Sequence, residues 1–244
     1  MSQNKVALIT GASQRIGATI ARVLHANGMN LVLHYRSSRD AAQHLQQDLN
    51  KQREDSVMLV QADLTSVNTL PALVKEAHNR WGRLDVLINN ASTFYRTPLG
   101  KATEQHWDDL FGTNAKAPFF LAQAAAPLLR QQHGCIVNMV DIHAERPLKE
   151  HTLYCMAKAA LVMLTKSLAR ELGPEVRVNG IAPGAIMWPG EIDEVTKQRI
   201  VSRTFLKRKG DATDIANTIL FLVQNAGYIT GQIIAVDGGR SLNS

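Results

Sequence analysis

A chain of 244 residues suffices for one large α/β domain and is too short for two comfortable ones. With 45% hydrophobic and 20% charged residues it has the composition of an ordinary globular protein. The net charge of +6 and pI near 9.5 do not single out nucleic acid: the longest basic block is Lys207–Arg208–Lys209, and aromatics do not interleave with basic residues as single-strand binding requires. A solvated surface and attraction of a polyanionic small ligand account for the excess.

In chain order, Val6–Thr10 predicts a strand and Ile16–Ala26 an amphipathic helix. Leu31–Tyr35 with Ala41–Gln52, and Val57–Gln61 with Thr69–Arg80, repeat the pair. Val86–Asn89 precedes a long helical stretch, Gln105–Gln131, and Cys135–Val140 precedes the helix Leu153–Glu171. Val176–Ile181, the helix Ala212–Asn225 and Ile233–Val236 complete the series. Short Val-, Ile- and Leu-rich runs alternating with amphipathic stretches predict a parallel, doubly wound sheet covered on both faces. The segment from Trp107 to Leu129, with Phe111, Phe119 and Phe120, is too apolar for a half-exposed helix, which predicts a partner helix over it. Gly184–Lys209 is the longest stretch without a clear period. It follows the carboxyl end of a strand, where a ligand lid would lie.

No apolar run reaches the roughly eighteen residues of a membrane span. Polar Met1–Lys5 leads directly into the first strand without a signal-peptide pattern. Cys135 and Cys155 are the only cysteines, too few for a disulfide framework and suited to a reducing cytoplasm. Cys155 adjoins Tyr154 but reads best as a small buried hydrophobe. His34, His143 and His151 show no metal-ligand spacing with cysteines or carboxylates, so no metal is expected. The basic residues Lys197, Arg199, Arg203 and Lys207–Lys209 read as a solvated face flanking the lid, or as an anion-attracting gate.

The first strand runs into Gly11–Ala12–Ser13–Gln14–Arg15–Ile16–Gly17 and then a helix. A glycine turn there lets the backbone approach a pyrophosphate, while the helix N-terminus supplies free N–H groups and a positive dipole end. Gly11 and Gly17 fit that role. The second strand ends at Tyr35 and continues Arg36–Ser37–Ser38–Arg39. In a doubly wound fold this tip meets the adenosine ribose, where an acid would bind a free 2′-hydroxyl and Arg with Ser suit a 2′-phosphate. NADPH is therefore the expected cofactor. Asp63, in Ala62–Asp63–Leu64, ends the third strand; acceptance from an adenine amino group and a simple turn aspartate both remain open.

Tyr154 and Lys158 are four apart on a helical pattern, hence on one face. A neighbouring ammonium stabilises a phenolate, so the lysine is expected to make the phenol more acidic. The pair follows a strand ending in Asp141. With these parts together, the chain resembles, over essentially its whole length, the short-chain dehydrogenase/reductase family. Thr10–Gly11 through Gly17, Asn89–Asn90–Ala91–Ser92, Asn114, Tyr154 with Lys158, Pro183–Gly184, Tyr228–Ile229–Thr230–Gly231 and Asp237–Gly238–Gly239 match its landmarks. The resemblance implies a single Rossmann-type domain over residues 1–244, with a substrate loop at about 185–209, and NAD(P)H-dependent hydride transfer. It implies catalytic Asn114, Tyr154 and Lys158, with Asn114 holding a relay water and Lys158 also holding the nicotinamide ribose. Gly11, Arg15, Ile16, Gly17, Tyr35, Arg36, Ser37, Asp63, Leu64, Asn90, Ala91, Lys158, Pro183 and Gly184 would contact the cofactor, and the assembly would be a homotetramer.

Three departures narrow this. The middle glycine of the turn is Arg15, the usual catalytic serine is Asp141, and Ser92 replaces the glycine after Asn-Asn-Ala, followed by Thr93–Phe94–Tyr95. The sequence shares all three with the pteridine reductase subgroup, which it resembles closely. That resemblance implies that Arg15 reaches both pyrophosphate and substrate, Ser92 hydrogen-bonds the pterin, Phe94 stacks on it opposite the nicotinamide, and Asp141 and Tyr154 handle protons. His151 stands where the subgroup tends to have a tyrosine, and residues 185–209 match it poorly. A ketone reductase must stabilise a developing alkoxide, which a neutral hydroxyl suits and a carboxylate repels. A pterin C=N bond instead leaves charge on a ring nitrogen, to which a carboxyl group with a raised pKa, or one hydrogen-bonded to a tyrosine, can deliver a proton. The reading is an NADPH-dependent reductase of dihydropteridines. Its rivals are a carbonyl reductase of the same fold, acting on a ketone or an acyl thioester, and a non-catalytic dinucleotide-binding sensor.

Overall fold

A computed structural model describes residues 4–188 and 193–243. It contains β1 (Val6–Ile9), α1 (Arg15–Ala26), β2 (Asn30–Tyr35), α2 (Arg39–Gln52), β3 (Val57–Gln61), α3 (Leu70–Asn79), β4 (Val86–Asn89), α4 (Glu104–Phe111), α5 (Ala117–Gln131), β5 (Cys135–Met139), α6 (Thr152–Leu172), β6 (Arg177–Pro183), α7 (Glu194–Ser202), α8 (Ala212–Gln224) and β7 (Ile233–Val236). The seven strands form one parallel sheet in the order β3-β2-β1-β4-β5-β6-β7.

The sheet is buried on both sides because alternate residues of each strand feed separate apolar cores. Ala7 and Ile9 of β1 pack with Ile20 and Leu24 of α1 and Ile215 and Ile219 of α8. Val6 and Leu8 point the other way, toward Leu73 of α3 and Leu121 and Ala125 of α5. All four residues of β1 are inaccessible to solvent, which is why the strand reads as a continuous apolar run instead of an alternating one. The strand order reverses between β1 and β4, which makes the crevice where ligands of doubly wound folds bind. The carboxyl ends of β1, β4, β5 and β6 therefore converge on one edge and carry Gly11, Asn90, Asp141 and Gly184 to it.

Two segments differ from expectation. The predicted helix 105–131 is interrupted by a π-helical turn at Gly112–Lys116. An apolar period alone does not reveal that inserted residue, and the turn seats Asn114. Within the aperiodic stretch 184–209, Asp193 caps α7 by accepting from the Thr196 N–H at 2.8 Å. This helix buries no side chain, so it leaves no hydrophobic period to read. The expected lid also includes residues 189–192, which lie outside the described residues. Helix α6 is the one described helix long and apolar enough, by length and composition, to cross a bilayer. Here it packs on β6 and carries buried Tyr154 and Lys158.

Candidate active site

The turn after β1 is shaped by contacts that exclude side chains. Gly11 has φ +60°, and a Cβ there would lie 2.9 Å from the Ala91 Cα; a Cβ on Gly17 would lie 2.3 Å from the Gly11 carbonyl oxygen. Arg15 occupies the left-handed region at φ +54°, a conformation that favours glycine. The α1 N-cap, Gln14, makes no side-chain cap, and the first turn holds no acidic residue. Free N–H groups and the positive dipole end thus face the crevice, and an anionic pyrophosphate fits this cradle. Ile16 packs its side chain on the core beneath.

Asn90 stitches the reversal point. Its side-chain amide donates to the Thr10 and Gly11 carbonyls at 2.9 and 3.0 Å, while the backbone N–H groups of Asn90 and Ala91 donate to the Thr10 hydroxyl at 2.9 and 3.0 Å. At the tip of β2, Tyr35 is buried and Arg36 and Ser37 are exposed. The Asp63 carboxylate accepts from the Thr65 N–H at 2.9 Å and the Thr65 hydroxyl at 2.7 Å. These bonds hold it below the usual carboxylate range and favour the turn reading of that residue. Leu64 buries its side chain in the core under α3. On the other flank, Gly184 lies against Asp237: a Cβ would come within 2.6 Å of it.

Asp141, following β5, is divided between two tasks. Oδ1 accepts from the His143 N–H at 2.8 Å and caps a short 3-10 turn; Oδ2 accepts from the Tyr154 hydroxyl at 2.7 Å. Burial, and then the Asp141 charge and hydrogen bond, raise the Tyr154 phenol well above its ordinary value, with the Ser92 hydroxyl opposing them. This corrects the expectation of a phenol made more acidic by Lys158. The Lys158 ammonium stands 5.7 Å from the Tyr154 ring centre and donates to the Met139 carbonyl at 2.8 Å. Complete burial pushes Lys158 itself down to about 8, partly offset by Asp141.

Asn114 is inaccessible and fixed in orientation. Its amide donates to the Leu110 and Thr93 carbonyls at 2.9 and 3.0 Å, and its oxygen accepts from the Ser92 hydroxyl at 2.6 Å. Ser92, Asn114, Tyr154 and Asp141 thus form one hydrogen-bonding neighbourhood. Phe94 is 40% exposed beside it. Its ring stacks face to face on His151, centroids 4.7 Å apart at 17°, and meets Tyr154 edge-on at 4.8 Å and 82°. Arg15 reaches the start of the lid, where its guanidinium donates to the Trp188 carbonyl at 3.5 Å.

Two contributors were not legible in the sequence. The Gly11 N–H donates to His34 Nδ1 at 3.2 Å, and His34 Nε2 pairs with the Ala62 carbonyl at 3.1 Å. A carbonyl only accepts, so Nε2 carries the proton and the ring is a neutral brace beneath the turn. Burial lowers its basicity. Arg240, just after Asp237–Gly238–Gly239, is half-buried and stands close enough to Asp141 for that charge to oppose the lowering that burial imposes on the guanidinium. The signal for His34 was a polar residue inside the apolar run of β2.

A family model described as enoyl-(acyl carrier protein) reductase matches residues 11–241. Pteridine reductase 1 of Leishmania tarentolae is 40% identical over 278 residues, covering 97% of this chain and 96% of that protein. The 3-oxoacyl-acyl-carrier-protein reductase FabG of Staphylococcus aureus strain Mu50 is 37% identical over 244 residues, covering 98% and 99%. Identity therefore does not separate the two kinds of relative, but a match of this extent settles the family. The chain belongs to the short-chain dehydrogenase/reductase family and is an oxidoreductase of that family.

Proposed function

We propose that this oxidoreductase uses NADPH to reduce dihydropteridines, such as dihydrobiopterin or dihydromonapterin, to the tetrahydro form. The observation that carries the reading is the 2.7 Å hydrogen bond from the Tyr154 hydroxyl to Asp141 Oδ2. A carboxylate on the donor phenol would oppose an alkoxide growing beside it and tolerates a ring nitrogen that takes up a proton. When bound, the cofactor supplies the hydride. Tyr154, a phenol at neutral pH whose acidity burial and Asp141 suppress further, holds the proton at its hydroxyl oxygen. The Lys158 ammonium and the Ser92 hydroxyl lie ready to stabilise the phenolate left behind, and Arg240 offsets the Asp141 charge. Exposed Arg36 and Ser37, with no acid at the tip of β2, suit the 2′-phosphate that distinguishes NADPH. Arg15 and Ser92 are assigned to the substrate, and Phe94 to stacking on its flat ring. One domain over residues 1–244, a cytoplasmic setting and a homotetramer complete the proposal; exposed Phe119, Met156 and Met163 on α5 and α6 are apolar surface that a neighbouring copy would cover.

The alternative is a ketone or 3-oxoacyl reductase, favoured by the similarity to the staphylococcal enzyme. NADPH oxidation measured with dihydrobiopterin, dihydromonapterin, dihydrofolate, simple ketones and a 3-oxoacyl thioester decides between them. Turnover confined to the carbonyl compounds contradicts the proposal.

A further inference from the structure

Phe94 belongs to the loop after β4 and His151 to the turn before α6, segments 57 positions apart in sequence. Several contacts lock the two together. The Thr97 N–H donates to the Glu150 carbonyl at 2.6 Å, and Arg96 pairs with the Glu150 carboxylate at 3.6 Å. Glu150 is held in the left-handed region at φ +63°, which turns the chain so that His151 faces inward. His151 is only 6% exposed. Its Nδ1 lies 2.8 Å from the Lys149 carbonyl; since that oxygen only accepts, Nδ1 carries the proton and the imidazole plane is fixed. Upon this fixed plane lies the Phe94 ring, and the same ring stands edge-on to Tyr154.

From this geometry we propose that His151 is a positioning residue: it sets the plane of Phe94 and, through Phe94, the surface on which a flat ligand ring stacks beside Tyr154. The inference rests on the assignment of a flat heterocyclic substrate above. An aromatic ring with one face backed by a second, immobilised ring loses little freedom when a ligand stacks on it. An unbacked Phe94 would have to be ordered at binding, which weakens binding of a flat substrate. A compact aliphatic ketone, which gains nothing from stacking, is insensitive to that plane.

The test is steady-state kinetics of His151→Leu and His151→Phe, each alone and in a Phe94→Ala background, with dihydrobiopterin. Leucine fills the space but offers no flat face; phenylalanine restores one. The expected result is a rise of roughly three- to tenfold in KM for dihydrobiopterin in His151→Leu, the worth of one aromatic stack. Its kcat should change less than its KM, His151→Phe should sit near the wild type, and His151→Leu should have no further effect once Phe94 is alanine. The inference is overturned by an unchanged KM in His151→Leu, by equal losses in the two His151 variants, or by a leucine effect that persists undiminished without Phe94. Wild-type enzyme that leaves dihydropteridines untouched overturns the substrate assignment and this inference with it, whereas active wild type with an indifferent His151 overturns this inference alone.

Discussion

Asp141 and Tyr154 meet through a single 2.7 Å hydrogen bond, with the phenol as donor and Oδ2 as acceptor, while Oδ1 of the same carboxylate is tied to the His143 backbone. The aspartate is therefore both a structural cap and the hydrogen-bond partner of the Tyr154 phenol. Its position follows from the local chain: β5 delivers it to the carboxyl edge, and the 3-10 turn that it caps holds it there.

Lys158 sits wholly buried with a folded-state value near 8 against an ordinary 10.5. Its ammonium is lost as pH rises through that value, so kcat is expected to fall above about pH 8. The linkage has the opposite sign for stability: between about 8 and 10.5 the unfolded chain binds the extra proton, and stability rises with pH. Lys158→Met should thus cost at least about a hundredfold in kcat, the lower end for a lost acid–base contributor. It should also raise the melting temperature at pH 7, by about 2–4 °C for each kcal/mol relieved. Paired kinetics and thermal denaturation check both; a variant that is inactive and less stable contradicts the electrostatic account.

Arg36 is the exposed cation at the tip of β2. Arg36→Asp is expected to raise KM for NADPH roughly ten- to a hundredfold, as expected for loss of a charge-assisted hydrogen bond, and to leave KM for NADH unchanged or lower. Cofactor kinetics with both nucleotides reads this directly.

His34 braces the turn after β1 in its neutral form, with its value lowered by burial. Below its unfolded value of about 6.5 the unfolded chain takes up a proton that the native ring resists, so this contribution to stability is complete above that pH and declines as pH falls below it. His34→Gln keeps hydrogen-bonding groups without the titration. Denaturant melts at pH 7.5 and 5.5 should show a smaller acid loss in the variant than in the wild type, the remainder including His25, which burial also lowers.

Gly17→Ala would set a Cβ 2.3 Å from the Gly11 carbonyl oxygen, a backbone atom that cannot turn aside. The variant is expected to lose cofactor affinity by about five- to 150-fold, on the order of the 1–3 kcal/mol of backbone strain that such a site imposes. Titration of the nucleotide by fluorescence or calorimetry measures it.

The sheet was legible because its strands are buried on both faces and so appear as apolar runs, and its parallel, doubly wound arrangement followed from their alternation with helices; the strand order was not read from the sequence. Tyr154 and Lys158 were legible as a face-sharing pair, and Asp141 by its place after β5. Other features were hidden for local reasons. The π turn that seats Asn114 has no compositional mark. Helix α7 has no buried face. The environment of Tyr154 depends on burial that spacing does not report, so the expected acidification by Lys158 gave way to suppression by burial and then by Asp141. His151 against Phe94 is a contact across 57 positions, set by two loops that no periodicity links.

The central claim is that a carboxylate on the donor phenol selects a ring nitrogen over a carbonyl oxygen as the proton acceptor. Asp141→Ser tests it most directly, measured as kcat/KM for dihydrobiopterin and for a 3-oxoacyl thioester in the same preparation. The account predicts a fall of about a hundredfold or more for the pteridine, with thioester turnover unchanged or increased. Undiminished pteridine turnover in that variant contradicts it.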